Sequence, residues 1–106
     1  MHEIKIFTNQ RVVTAAGTPE KIKEAPEWQK NKVISIIIRA HTGNAGFIYV
    51  HETQAASAAI GYILSAGEVA ILDVHDIYDG YIDLSKVWID SSVDGDGISY
   101  VAFEVI

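Results

Sequence analysis

The stretch VISIIIRA, residues 33–40, constrains the fold more than any other part of the chain. It is rich in β-branched residues, and the two-residue period of a strand places its even positions on one apolar face. The turn cluster HTGNAG and a second apolar run, FIYVH, come next, so residues 33–51 are predicted to form a β-hairpin. The apolar face of residues 33–40 consists of the even positions Ile34, Ile36, Ile38 and Ala40.

Short apolar runs separated by turn residues continue to the end of the chain. VAILDV, KVWID and ISYVAFEVI are predicted to be further strands, with SAGE and SSVDGDG as turns. About seven short strands at this spacing are typical of an antiparallel sandwich or barrel. We therefore predict an all-β protein with a single antiparallel β-sandwich, jelly-roll or Ig-like, over residues 33–106. Residues 1–32 are expected to form an N-terminal strand or arm and a charged loop.

The N-terminal segment differs from the rest of the chain in composition. It contains both prolines, and residues 1–40 hold all but one of the 8 basic residues, whereas most of the 14 acidic residues follow. Nucleic acid is not expected as a partner, because phosphates require clustered Lys and Arg. The uneven charge either steers the basic segment of one copy to the acidic body of another or is only a solvated surface. The apolar residues of the segment are candidate anchors of an attachment arm: Ile4, Ile6, Val12, Val13 and Trp28.

Several classes of protein are not expected from the sequence. There is no cysteine, so neither a disulfide nor a thiolate metal site is predicted. No apolar run approaches the about 18 residues of a transmembrane helix, so no membrane partner is expected. No signal peptide is recognised at the start of the sequence.

The turn SSVDGDG, residues 91–97, is the strongest candidate for an ion site. An EF-hand loop requires glycine at its sixth position and a bidentate glutamate at its twelfth. With Gly97 at the sixth position, Phe103 occupies the twelfth. Since Asp and Gly tolerate the positive φ of tight turns, we predict a turn, while the sequence leaves open whether the acidic loops hold a cation. The predicted turn residues are Asn44, Gly46, Gly67, Asp94, Gly95, Asp96 and Gly97.

No recognised catalytic motif is present. The 4 histidines match no metal-binding spacing, and no nucleophile elbow, P-loop or dinucleotide fingerprint occurs. The acids of residues 73–90 are more typical of a solvated rim than of two carboxylates held across a cleft. We expect no enzymatic activity, no cofactor and no metal.

Aromatic residues form a further candidate site. Strand parity points Trp88 away from the side that Val87 and Ile89 face, and it places Phe47 and Tyr49 on a common side. Such a face either binds sugar, is buried between subunits, or packs within the core. The candidate residues for a subunit interface or ligand face are Phe47, Tyr49, Tyr81 and Trp88.

Three segments occur in a distinctive order: ISIIIRAHTGNAGFIYV, GYILSAGEVAILDV and IDLSKVWIDSSVDGDGISYV. This order resembles a small β-sandwich accessory or decoration domain that recurs in virion proteins of tailed bacteriophages. The matching positions are Asn44, Gly46, Ile48, Tyr49 and Val50; Leu64, Gly67 and Glu68; Asp83, Leu84, Ser85, Lys86, Val87, Trp88, Ile89 and Asp90; and Gly95, Asp96, Gly97, Ile98 and Tyr100.

The resemblance implies a structural protein of the virion without an active site. It implies a capsid decoration or cement protein on the outer head surface, bound to the major capsid protein as a homo-oligomer such as a trimer, and made in the host cytoplasm. A tail, neck or fibre-base component and a carbohydrate-binding host-attachment module are the alternatives. Residues 1–32 and the loop HETQAASAAIG depart from the family pattern. Deletion of residues 1–30 is expected to abolish particle binding and to leave the sandwich folded.

Overall fold

The computed structural model describes residues 3–23, 32–52, 61–73 and 81–105. Within these ranges the chain consists of strands and short connections, with one 3₁₀ turn at Leu84–Lys86. The strands, numbered in chain order, are β1 (Ile4–Val12), β2 (Glu20–Lys21), β3 (Val33–Ala40), β4 (Ile48–His51), β5 (Tyr62–Leu64), β6 (Val69–Asp73), β7 (Trp88–Ser91) and β8 (Gly97–Val105).

These strands form two antiparallel sheets of four. The first sheet has the order β1-β8-β3-β6, and the second has the order β2-β7-β4-β5. Each strand pairs with the strand that mirrors it along the chain: β1 with β8, β2 with β7, β3 with β6, and β4 with β5. This is a long hairpin rolled into two layers, the arrangement of a jelly roll. The predicted all-β antiparallel sandwich is confirmed, and the strand order selects the jelly roll over the Ig-like alternative.

The core lies between the two sheets, and β3 shows how the sequence builds it. From Ile36 onward its even positions point inward and are fully buried, as the alternation predicts. At the start of the strand a bulge between Val33 and Ser35 shifts the phase, so Val33 is buried and Ile34 is only half-buried. Each fully buried isoleucine or valine contributes about 1.5–3 kcal/mol to the hydrophobic driving force.

The described part of the N-terminal segment, residues 3–23, belongs to the sandwich. Strand β1 pairs with β8 along its whole length, and β2 pairs with β7 in the other sheet. Val13 and Ile22 are buried in the core, and the Ile22 amide donates to the carbonyl of Val87 at 2.8 Å. The expectation of an arm separate from the sandwich is corrected for residues 3–23, and deleting residues 1–30 would remove two strands and part of the core.

Four connections meet at one end of the sandwich, which we call the loop end: residues 13–19, 41–47, 65–68 and 92–96. Each of them carries the chain from one sheet to the other. Backbone hydrogen bonds join neighbouring loops, as where Val13 N donates to Asp96 O at 2.8 Å and Gly67 N donates to Ala40 O at 2.9 Å. The remaining three inter-strand connections contain the residues outside the described ranges.

Candidate binding surface at the loop end

The carboxylate of Asp96 joins two loops that lie far apart in sequence. Its Oδ1 accepts the amide of Ala45 at 2.9 Å, and its Oδ2 accepts the amide of Gly46 at 2.8 Å. The Asp96 side chain belongs to a residue that is only 5% exposed. Hydrogen bonds from backbone amides to an ionised acceptor are stronger than neutral ones. Asp96 therefore holds the 41–47 loop in a fixed position against the 92–96 turn.

The side chain of Asn44 also joins these two regions, but here the side chain belongs to the 41–47 loop and bonds the backbone at the start of β8. Its Nδ2 donates to the carbonyl of Gly97 at 2.9 Å, and its Oδ1 accepts the amide of Gly97 at 2.9 Å. Gly97 has no room for a side chain, because a Cβ there would lie 2.9 Å from the carbonyl oxygen of Arg11. The glycine thus allows three stretches of backbone to approach one another closely.

Two further aspartates fix the 13–19 loop. Asp90 accepts the amide of Gly17 at 3.0 Å, and Asp94 accepts the amide of Ala16 at 2.7 Å. Asp90 lies on the outer side of β7 but is only 4% exposed. Each of these carboxylates satisfies a backbone donor of the 13–19 loop.

The acidic turn thus has a structural explanation. Residues 92–96 form the turn between β7 and β8, with Gly95 at a φ of +85°, a backbone conformation that favours glycine. Among residues 3–23, 32–52, 61–73 and 81–105, no three His, Asp or Glu side chains converge as metal ligands would. His41 instead pairs with the Ser99 hydroxyl at 2.8 Å. His2 and His75 lie outside the described residues.

Among the described residues, Glu68 in the 65–68 turn and Tyr100 on β8 have altered pKa values. Hydrogen bonds from Ser65 lower the pKa of Glu68, whose Oε1 accepts the Ser65 amide at 2.6 Å across the 65–68 turn. Burial raises the pKa of the Tyr100 hydroxyl, and nearby Asn9 and Arg11 offset this only partly. The Tyr100 ring packs edge-to-face on Phe7 with its centroid 6.4 Å away. Ionised Glu68 therefore stabilises the 65–68 turn, whereas Tyr100 contributes to the fold through the packing of its ring.

The predicted aromatic set is divided by the structure. Tyr49 and Trp88 point outward from the second sheet, opposite to the buried Ile48 and Ile89, as strand parity predicts. Phe47, directly before β4, is 48% exposed. We call Phe47, Tyr49 and Trp88 the aromatic face. The Nζ of Lys21 lies 5.5 Å from the centre of the Trp88 ring, a cation–π contact that covers part of it.

Tyr81 is separate from the aromatic face. Its neighbour Ile82 forms a β-bridge with Val33, which places this stretch beside the first sheet. Tyr81 is 48% exposed there. A single surface formed by all four predicted aromatic residues is therefore not present.

The predicted attachment residues also divide. Val13 lies in the core, which corrects its assignment as an anchor of an attachment arm. Trp28 lies outside the described residues. Ile4, Ile6 and Val12 are exposed on the outer side of β1. They belong to a larger surface, the outer face of the first sheet, which consists of Ile4, Ile6, Thr8, Gln10 and Val12 on β1; Ser99, Val101, Phe103 and Val105 on β8; Ser35, Ile37 and Arg39 on β3; and Val69, Ile71 and Asp73 on β6.

Sequence reasoning missed this apolar outer face, although β8 carries a signal for it. In ISYVAFEVI, Tyr100 and Ala102 point into the core, and Val101 and Phe103 are only partly covered on the other side. A strand that is apolar at both parities is typical of a sheet covered on both faces. The outer face has no cover within the described residues.

A cavity of about 480 Å³ lies between the edge strands β5 and β6, at the end opposite the loops. Its lining combines apolar residues with four that carry polar groups: His51, Glu52, Tyr62 and Lys86. None of the residues predicted for a site lines it.

No protein-family model matches the sequence, and no curated protein is recognisably similar to it. The resemblance to the phage accessory domain therefore rests on the motifs described above. Within the described part of the chain, no helix has both the length and the apolar character needed to cross a membrane.

Proposed function

We propose that this chain is a non-enzymatic structural protein of a tailed-phage virion, a capsid decoration or cement protein. It binds the major capsid protein on the outer head surface as a homo-oligomer. Many copies with modest individual affinity reinforce the shell through avidity. A tail, neck or fibre-base position is the structural alternative.

One observation carries this proposal: the residues that resemble the phage domain hold the loop end together. Asn44, Gly46, Asp96 and Gly97 come from two motif segments about fifty residues apart, and they are bonded directly to one another. The motifs thus act as a unit in space, as a shared structural domain requires. The jelly roll supports the proposal by analogy only, because viral capsid proteins, lectins and cupins all use it.

The loop end is the surface we assign to attachment. Its acidic side chains are used as acceptors for backbone amides, so the loops form a rigid platform instead of an open reactive site. Val93 is 38% exposed at the tip of the 92–96 turn. A rigid surface loses little conformational entropy on binding, which favours docking between preformed proteins.

Binding to isolated phage heads tests the proposal. Purified full-length protein is mixed with heads that lack it and sedimented, and immunogold electron microscopy locates it on particles from the parent lysate. Regular label over the head supports a decoration role, and label at the neck or tail supports the structural alternative. Absence of both label and co-sedimentation refutes a virion role.

A pair of variants tests the assigned surface. Val93→Asp places a charge at the tip of the loop end, whereas Ile63→Asp changes a residue that is 46% exposed on the edge strand of the second sheet. We expect Val93→Asp to weaken binding to heads and Ile63→Asp to leave it unchanged. Equal effects of the two variants would contradict attachment through the loops.

The aromatic face favours a second candidate function, a carbohydrate-binding module for host attachment. Tyr49 and Trp88 lie on one outward surface, where flat rings can stack on sugars. Glycan-array binding that is lost in both Tyr49→Ala and Trp88→Ala would support this function. Absence of glycan binding by the unmodified protein would exclude it.

A further inference from the structure

We infer that the outer face of the first sheet is a self-association surface, on which a second copy of this chain packs face to face about a two-fold axis. The inference deepens the homo-oligomer of the proposed function, but this surface is distinct from the loop end assigned to capsid attachment. Failure of the dimer tests below therefore overturns this surface, whereas the head-binding experiment tests the virion role separately.

The first argument is the apolar character of the face. Ile6 is 61% exposed, Ile71 is 64% exposed and Val69 is 45% exposed, and they lie on the two edge strands of the sheet. Val101 and Phe103 on β8 and Ile37 on β3 lie between these edges, with Ile37 paired to both Val101 and Ile71. Contiguous apolar patches of this kind on soluble proteins usually mark an interaction surface.

The second argument is size. At about 4.8 Å between strands and 3.4 Å per residue, the four strands cover a flat plane of about 500 Å². Two such faces pressed together cover about 1,000 Å² in total, which is the lower limit for a specific interface. The face is therefore large enough for a dimer, with the two sheets packed about 10 Å apart as in a sandwich.

The third argument is that the shape of the face is self-complementary, because it carries both a groove and a projecting side chain that fits it. A shallow groove of about 450 Å³ crosses it near Ser99, Val69 and Gln10, while the bulky Phe103 lies four residues along β8. A two-fold axis across the strands at Val101 brings Phe103 of each copy over the groove at Ser99 of the other. Both copies then use the same residues, as an isologous interface requires.

The charges of the face obey the same symmetry. Its two charged residues are Arg39 and Asp73, which lie toward opposite ends of the paired strands β3 and β6. The two-fold axis that places Phe103 in the groove also brings Arg39 of one copy toward Asp73 of the other. The face is electrically neutral, so stacking two copies opposes no like charges, although the whole chain carries a net charge of -6.

Sedimentation equilibrium of the full-length protein and its variants tests this inference. We expect the unmodified protein to be dimeric at micromolar concentration. Ile71→Glu buries a charge in the interface and should raise the dissociation constant more than about tenfold. Ile63→Glu is the matched control, because Ile63 is an exposed isoleucine on the edge strand of the other sheet, and it should leave the dimer intact.

A charge swap provides a second test that does not depend on the folding of Ile71→Glu. Arg39→Asp should weaken the dimer, and the double variant Arg39→Asp with Asp73→Arg should restore it. Circular dichroism confirms that each variant is folded. A protein that stays monomeric at high micromolar concentration, an oligomer unaffected by both Ile71→Glu and Arg39→Asp, or equal dissociation by Ile63→Glu would overturn the inference.

Discussion

Replacing Asp96 by alanine removes the connection between the 41–47 loop and the 92–96 turn. The substitution leaves two backbone amides, those of Ala45 and Gly46, without their carboxylate acceptor. Hydrogen bonds to a charged group contribute about 1.5–3 kcal/mol each, and an unsatisfied buried donor costs about 1–3 kcal/mol. Because water reaches part of the loop, we expect a total loss of about 3–4 kcal/mol in the free energy of unfolding. That is a large fraction of the about 5–15 kcal/mol typical of a domain.

Urea unfolding followed by tryptophan fluorescence measures this loss by linear extrapolation. Asp96→Asn retains one acceptor oxygen and should lose about half as much. Asp94→Ala is the matched control, since Asp94 is exposed and accepts a single amide, and it should cost no more than about 1 kcal/mol. A loss for Asp96→Ala below about 1 kcal/mol, or one equal to that of Asp94→Ala, would refute the assignment of Asp96 as the principal tie.

Three further predictions concern single groups. Gly46→Ala should destabilise by about 1–3 kcal/mol, because its Cβ would collide with the Ser92 hydroxyl, and thermal unfolding should show partial relief when Ser92→Ala is added. Since burial raises the pKa of Tyr100, the folded state retains its proton above pH 10 and the free energy of unfolding should fall as pH rises beyond that value; Tyr100→Phe should lack this decline. The lowered pKa of Glu68 gives a contribution that is present above its ordinary value of 4.5 and lost as pH falls, so Glu68→Gln should flatten the acid limb of a stability–pH profile.

The sequence predicts the strands of this sandwich and their inner faces better than it predicts which strands pair and where the pairing is irregular. Alternation in residues 33–40 identifies a strand and its inner face, but the bulge at Val33 depends on pairing with strands far along the chain. The polar, charged residues around β2 gave no strand pattern, and only two residues there pair with β7. Local patterns specify local geometry, whereas edge strands of this length are determined by tertiary pairing.

The candidate site shows the same division. Turn chemistry around Asn44 and Asp96 is visible in the sequence, because Asn, Asp and Gly favour tight turns. Nothing in the spacing indicates that Asn44 bonds Gly97 or that Asp96 bonds Gly46, since each pair is separated by about fifty residues and meets only in the jelly roll. The carboxylates that suggest a cation site from sequence are therefore explained by donors that the sequence does not reveal.

The central position of β8 has a consequence for how the chain is made. This strand lies between β1 and β3, so the first sheet stays in two separate pieces until residues 97–105 have left the ribosome. At about 5–20 residues per second, β1 waits several seconds for its partner, and until then Phe7 lacks the contact that its ring makes with Tyr100 of β8 in the folded protein. Pairing of strands so distant in sequence is also slow once the chain is free. The nascent protein should therefore depend on chaperones more than a helical protein of equal length, and mutations in β8 should lower soluble yield before they lower the stability of the folded product.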